Sequence, residues 1–330
     1  MMDDLIHLSP NPWKATLRNI FAARVAKGDA NATAWSFRQS GVVEINYGFT
    51  NAAMIYAALF MQYFDAISTI ASEVDLSMED SEVLGWILAE IDQGVSEPIL
   101  LAESSRELWR REGAIFVGHP SLADVPRRRL DSYQLAAAAT EEFALAHEIC
   151  HHMLGHTEKT FKHAGEIEKT VISWIRRAGS YDLWSGLNAS QKEEVQADVA
   201  AFLLMSGELN GTFNRGLTYK AVSGSMLALT ALAHISEHWF SDDQQESHPD
   251  FLDRFSVVSG IIVGLSTGLP RGGKGDHPLG FLLQFRGFIS MVLQTWISKH
   301  DNSVNLPTFL NTFSWLLDEG ADIDNLLDEA

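Results

Sequence analysis

Cysteine is almost absent from this sequence of 330 residues: Cys150 is the single one, so the chain cannot form an intramolecular disulfide. Residues 1–4 are acidic at two positions and lack the basic residues followed by an apolar run that mark a secretory signal peptide. Both features are typical of proteins from a reducing compartment, and we expect a cytoplasmic protein.

Positive charge is also scarce. Lys and Arg number 24 against 43 Asp and Glu, which gives a formal net charge of -19. A surface of that sign repels phosphate backbones and anionic lipids. We therefore expect no nucleic-acid partner.

Long hydrophobic runs are missing as well. The most apolar stretches are 52–64, 221–236 and 255–270, and none provides about 18 residues free of charged or strongly polar side chains. They are predicted to be buried elements, so we expect no integral membrane segment. Peripheral membrane contact stays open, and the sequence predicts no particular oligomeric state.

The composition and periodicity indicate a globular fold of the α+β class that is mainly helical. Hydrophobic residues make up 46% of the chain, enough for a sizeable core. Residues 35–49 predict two short strands joined by a turn at 39–41. From residue 51 onward the pattern is mostly helical, with candidates at 52–70 and 221–239.

A long helix is predicted in the middle of the chain. Asp131 or Ser132 is predicted to cap its start, and Gly155 is predicted to stop it after Leu154. The short apolar run Ala114–Val117 ahead of it is the best strand candidate in that part of the chain. Either this strand pairs with an extended substrate or it is purely structural.

The long helix contains the sequence His-Glu-Ile-Cys-His, with histidines at His147 and His151. Residues at i and i+4 project from one helix face, so both imidazoles can reach one cation. Glu148 lies beside that face, where it can hold a metal-bound water. The alternative is that both histidines are ordinary residues of a packed helix.

A second acidic motif follows about forty residues later. Glu194 and Asp198 are again spaced i, i+4, so one helix face offers a carboxylate ligand and, one turn on, a partner for a ligand. Ser190 and Glu193 form a predicted capping box for this helix, which is expected to run to Met205. That box leaves Glu194 rather than Glu193 as the ligand, while the alternative is a solvated polar face.

The two motifs together resemble the gluzincin metallopeptidases, in particular the branch of the bacterial heat-shock membrane proteases and the CAAX prenyl proteases. A third segment, 247–254, reads Ser-His-Pro-Asp-Phe-Leu-Asp-Arg and is similar to the downstream His-Pro…Arg segment of that branch. The resemblance covers about a third of the chain. It implies a zincin-like fold with a small sheet and an active-site helix, with 1–78 an α+β region of unknown role and 79–330 the catalytic domain, or one continuous domain.

The resemblance also implies a role for each motif residue. One zinc ion would be bound by three residues, His147, His151 and Glu194. Glu148 would be the general base of a zinc-activated water. Asp198 would orient the first histidine.

Two further catalytic residues are predicted in the third segment. Arg254 would help to organise the site, and His248 is a candidate donor to the oxyanion, with His234, Tyr181 and Tyr219 as alternatives. The predicted function is a zinc-dependent endopeptidase acting on a protein or peptide. The alternative is a regulatory or binding protein that keeps a zincin fold with a structural zinc and does not cleave peptides.

Other patterns invite a functional interpretation but are better explained structurally. Residues 234–238 read His-Ile-Ser-Glu-His, the reversed zinc motif, but no suitable third ligand follows, and a core histidine is favoured. Residues 268–274 resemble a phosphate-binding loop but lack its Ser or Thr. His152 and His156 are predicted to face solvent, and Cys150 to pack without binding metal.

Overall fold

The computed structural model describes residues 1–38, 40–73, 129–157, 164–236, 239, 248–266, 282, 285–289 and 292–293. For residues 65–73 and 266 it describes the backbone only. All of them belong to one compact unit, Met1–Thr295. The predicted division between 1–78 and 79–330 falls outside the described residues and stays a prediction. The candidate strand Ala114–Val117 and the glycine-rich loop 268–274 also lie outside them.

The described residues are mainly helical and include one small sheet, which confirms the predicted α+β class. In chain order the helices are α1 (Met2–Leu8), α2 (Asn11–Leu17), α3 (Tyr47–Glu73), α4 (Leu130–Leu154), α5 (Ala164–Arg177), α6 (Tyr181–Gly186), α7 (Ala189–Met205), α8 (Arg215–Ser236) and α9 (Phe251–Ser266). None of the helices in these ranges is both long enough and apolar enough to cross a membrane.

The sheet has three strands, in the spatial order β1-β3-β2. β1 (Ile20–Val25) pairs in parallel with β3 (Ser40–Asn46), and β2 (Ala32–Phe37) pairs antiparallel with β3. The two predicted strands joined by a turn are present, but their bounds differ from the prediction. The first strand begins at Ala32, before the predicted range 35–49, and the second begins at Ser40, inside the predicted turn 39–41. The second strand ends at Asn46 because helix α3 begins at the next residue. β2 therefore forms one edge of the sheet.

Helix α4 is the centre of the fold. It packs against α3, α7 and α8 and against the two strands of the hairpin. Every residue from 139 to 150 is buried, as expected for a helix covered on all sides. A Cβ at Gly224 on α8 would lie 2.4 Å from the carbonyl oxygen of Ala139, so only glycine permits this close approach of α8 to α4.

The end of α4 is predicted correctly and its start is not. Gly155 has φ 78° and caps the helix in the left-handed conformation, as expected. The helix begins at Leu130 with Arg129 as its N-cap and no side-chain capping bond. Asp131 therefore lies inside the first turn, where its charge interacts favourably with the helix N-terminus rather than capping it.

The predicted capping box of α7 is wrong by two residues. The Asn188 side chain accepts a hydrogen bond from the backbone of Gln191 at 2.9 Å, and the Gln191 side chain accepts one from the backbone of Asn188 at 3.1 Å. Asparagine is as good an N-cap as serine, so both sequences satisfied the pattern. The predicted end at Met205 is confirmed.

Helices α3 and α8 are longer than predicted. α3 spans Tyr47–Glu73 instead of 52–70, and α8 begins at Arg215 instead of 221. Asn214 explains the early start of α8, because its side chain accepts a hydrogen bond from the backbone of Leu217 at 3.0 Å. The signal for this start was therefore present but lay in a stretch of low hydrophobicity.

Candidate metal centre

Three predicted ligands converge between helices α4 and α7. The Nε2 atoms of His147 and His151 are 3.1 Å apart. The two carboxylate oxygens of Glu194 lie 3.3 Å from His147 Nε2 and 3.5 Å from His151 Nε2. Within the described ranges this is the one group of three such side chains whose ligand atoms all lie within 4.8 Å of one another.

These separations fit a metal ion. Two atoms that are each about 2.1 Å from a tetrahedral zinc ion lie roughly 3.4 Å from each other. The three separations at the site are 3.1, 3.3 and 3.5 Å. Two imidazoles and one carboxylate are also a donor set that zinc binds in enzymes that keep one position for water. The cluster could therefore hold a metal ion without rearrangement of the two helices.

His147 is oriented by a buried carboxylate. Its Nδ1 lies 2.9 Å from the Oδ1 of Asp198, which is fully buried on α7. Nδ1 therefore donates its proton to Asp198, and Nε2 is the ring nitrogen that faces the cluster. Arg254 on α9 in turn donates two hydrogen bonds to the Asp198 carboxylate, at 2.7 and 2.8 Å.

The electrostatics of the cluster favour a positive charge at its centre. Burial would raise the pKa of Asp198, but the charge and hydrogen bonds of Arg254 outweigh it and keep that pKa low. Burial would likewise lower the pKa of His147, but its hydrogen bonds to Asp198 and Glu194 raise it to about 10. Burial and the neighbouring charge on His147 lower the pKa of His151 to about 3. Without a metal ion, a proton on His147 thus supplies the positive charge that the neighbouring carboxylates favour.

Glu148 is buried next to the three ligands without belonging to them. Burial raises its pKa to about 7, although the charges of His147 and Arg254 act in the opposite direction. A carboxylate with a pKa near neutrality can both take up and release a proton at physiological pH. The side chain lines the same cleft as the ligands.

The remaining predicted catalytic residues lie at different distances from the centre. His248 is exposed, and its Nε2 is 3.8 Å from a Glu194 oxygen. Arg254 touches the cluster through Asp198. Among the alternative oxyanion donors, His234 is fully buried and hydrogen-bonds the Tyr56 hydroxyl through Nδ1, in agreement with a core histidine. His238, the other end of the reversed motif, lies outside the described residues.

The prediction that His152 and His156 face solvent is wrong. His152 is fully buried and lies 3.2 Å from the Val42 carbonyl oxygen, on the central strand of the sheet. His156 is half-buried, and its Nδ1 lies 3.1 Å from the Nδ1 of His151. Sequence periodicity could not reveal the second contact, because Gly155 ends the helix and the chain turns back. The backbone N–H of His156 then donates to the His151 carbonyl at 2.9 Å.

Cys150 behaves as expected for a packing residue. It is fully buried, and burial raises the pKa of its thiol above the usual range, which disfavours the thiolate that a metal would bind.

The metal-ligand cluster opens onto a cleft of about 1210 Å³. The cleft is lined by strand β2 together with residues 29–31 before it, and by an apolar stretch of α8. Apolar side chains from α4, α8 and α9 contribute to this lining: Phe143, Ala144, Leu229, Leu232, Ile235 and Phe251. Backbone of a strand and hydrophobic side chains thus line the same cleft as the ligand cluster.

Comparison with known proteins identifies a family that the chain resembles over part of its length. The Peptidase U49 family matches residues 128–261, a region that is less than half of the chain but contains α4, α7 and Arg254. No curated protein and no solved structure matches the chain. The match supports a peptidase function and therefore a protein or peptide substrate. The narrower resemblance to gluzincins stays a prediction.

Proposed function

We propose that this protein is a zinc-dependent endopeptidase whose single metal ion is bound by His147, His151 and Glu194. The observation that carries the proposal is the convergence of three potential ligand residues from two helices: the imidazole Nε2 atoms are 3.1 Å apart, and each lies 3.3 or 3.5 Å from one oxygen of the Glu194 carboxylate. A bound zinc ion would supply Lewis acidity, activating a water molecule and polarising the carbonyl of a substrate.

Glu148 is the proposed general base. It is adjacent in sequence to a ligand, is buried at the base of the cleft, and has a pKa raised by that burial to about 7. It can therefore accept a proton from an attacking water and return it to the leaving amine within one reaction cycle. The presence of such a base distinguishes the site from a structural metal site, which needs none.

Asp198 and Arg254 hold the site in its working geometry. Asp198 fixes His147 through Nδ1, and Arg254 balances the charge of Asp198, whose carboxylate is fully buried. Arg254 therefore acts on the reaction through Asp198 and His147. His248 is exposed at the mouth of the cleft and is the proposed additional donor to the substrate carbonyl.

The cleft favours an extended peptide over a compact small molecule. Within the described residues β2 is an edge strand, and it lines the cleft through residues 32–36, so the backbone groups that it does not use to pair with β3 can pair with a substrate backbone. The apolar side chains of α8 that line the same cleft would accept a hydrophobic substrate side chain. Both features suit cleavage within a protein segment.

The decisive experiment combines metal content with cleavage of a peptide library by purified variants. We expect about one zinc ion per chain in the wild type and in Glu148→Gln, and loss of zinc in Glu194→Ala. Cleavage should be lost in both variants. The matched control is Glu193→Ala, the exposed neighbour on the same helix, which should keep zinc.

Each alternative gives a different result. A zinc-binding wild type that cleaves no member of the library would favour the regulatory protein with a structural metal. Cleavage by Glu148→Gln at the wild-type rate would remove Glu148 from the mechanism. Zinc retained by Glu194→Ala would contradict the proposed ligand set.

A further inference from the structure

The second ligand histidine has a partner that is quite different from that of the first. His147 faces a carboxylate, whereas the Nδ1 of His151 faces the Nδ1 of His156 at 3.1 Å. The other ring nitrogen of His156, Nε2, lies 3.1 Å from the side-chain oxygen of Gln196. A chain of three side chains thus leads from a metal ligand on α4 to the α7 helix.

The direction of these hydrogen bonds is fixed by chemistry. The Gln196 oxygen can only accept, so the Nε2 of His156 must carry a proton and donate it. A neutral His156 then has an unprotonated Nδ1, which can only accept. The Nδ1 of His151 must therefore carry the proton in this pair, which leaves the Nε2 of His151 with a free lone pair.

We propose that His156 and Gln196 are positioning residues that hold His151 in the tautomer with its proton on Nδ1 and so direct its Nε2 at the metal ion. This inference rests on the proposed metal centre. His156 and Gln196, both uncharged, would orient His151 as the Asp198 carboxylate orients His147.

The orientation of the Gln196 amide decides the outcome. If the amide nitrogen faced His156, each donor and acceptor in the chain would reverse, and the Nε2 of His151 would carry a proton. That tautomer cannot bind a metal ion through Nε2, the nitrogen that faces the cluster. Gln196 is buried on the same helix as the ligand Glu194, so its side chain is held beside the site and shielded from water. An acceptor at this position therefore strengthens metal binding through His151.

The test is the affinity for Zn²⁺, measured by competition with a chelator on metal-free protein. Gln196→Leu keeps the size of the side chain but removes the acceptor, and His156→Phe removes the link itself. Each should weaken zinc binding by on the order of 10-fold to 100-fold. Gln196→Glu keeps an acceptor and should retain at least the wild-type affinity.

Thr157→Val is the matched control. The Thr157 hydroxyl lies 3.0 Å from the Nδ1 of His152, so this change removes a hydrogen bond from the same turn without touching His151. Its zinc affinity should equal that of the wild type. The unfolding midpoint of each metal-free variant shows whether it is folded, and Gln196→Glu supplies the comparison if Gln196→Leu is not.

Two readouts separate positioning from simple packing. Because the residues act in series, the double variant His156→Phe/Gln196→Leu should bind zinc no more weakly than His156→Phe alone. The Co²⁺-substituted wild type should show two slowly exchanging imidazole N–H proton signals, from His147 and His151. In His156→Phe one of them should exchange rapidly with solvent.

The outcomes are distinguishable from those of the proposed function. If the wild type binds zinc and Glu194→Ala releases it, but Gln196→Leu binds as tightly as the wild type, this inference is overturned and the metal centre stands. Additive losses in the double variant would also overturn it. A wild type that binds no zinc would overturn both.

Discussion

Replacing Asp198 with asparagine should destabilise the protein strongly, even without metal. The Asp198 carboxylate is fully buried and accepts hydrogen bonds from His147 and twice from Arg254. Asparagine has the same shape but no charge, so Asp198→Asn leaves the Arg254 guanidinium, whose side chain is only 11% exposed, without its counterion. The amide nitrogen of the asparagine must also face Arg254 or His147, and it is a donor where these residues need an acceptor.

The expected magnitude follows from that geometry. Breaking a buried ion pair by removing one partner costs about 3–5 kcal/mol, because the other charge remains buried and unpaired. Arg254→Met should cost a similar amount for the same reason. The double variant Asp198→Asn/Arg254→Met leaves neither member of this ion pair without its partner. Its loss of stability should therefore be smaller, by about 2 kcal/mol, than the sum of the losses in the two single variants.

Equilibrium unfolding in urea of the metal-free proteins measures these free energies. The matched control is Lys27→Met, which breaks the exposed pair between Lys27 and Glu44, 3.1 Å apart, and should cost less than about 1 kcal/mol. A loss for Asp198→Asn no larger than that of the control would refute the reasoning. So would strict additivity in the double variant.

Two further predictions concern α7 and Glu148. Asn188→Ala should lower the free energy of unfolding by about 1 kcal/mol because it removes the N-cap of α7. Ser190→Ala, the control, should change this free energy by less than about 0.5 kcal/mol. Equal effects of the two substitutions would contradict the observed cap. The pKa of Glu148 is raised by burial from 4.5 to about 7, so the folded state holds this proton more tightly than the unfolded state. Its contribution to stability is therefore complete below pH 4.5 and is lost as the pH rises through 7, by about 3 kcal/mol at most. Urea unfolding of the metal-free proteins should accordingly show that the wild type loses stability relative to Glu148→Gln as the pH rises from 4.5 to 7. A difference in the free energy of unfolding that does not change with pH would show that the pKa of Glu148 is not raised.

The parts of the site that depend on one helix could be predicted from the sequence. The spacing of His147 and His151 requires only that α4 be helical there, and Gly155 marks its end. The spacing of Glu194 and Asp198 likewise requires only that α7 be helical at these residues. Their meeting across two helices was expected through a family resemblance, and the separations in the cluster agree with it.

The errors arose where a choice depended on neighbours in space. Ser190 and Asn188 are equally good caps as isolated residues, and the position of the helix decides between them. The exclusion of Glu193 as a ligand was argued from the wrong cap, and its exposed side chain explains why it is not in the cluster. His156 was assigned to solvent because no local pattern shows that a chain folds back after a glycine.

The central claim is that two imidazoles and one carboxylate bind a single zinc ion. X-ray absorption at the zinc edge of the purified, zinc-loaded protein measures this coordination directly. The account predicts two imidazole nitrogens and two oxygens, one from Glu194 and one from water, at about 2.0–2.2 Å, and loss of the ion in Glu194→Ala. A sulfur neighbour at about 2.3 Å, or a first shell unchanged in Glu194→Ala, would contradict it.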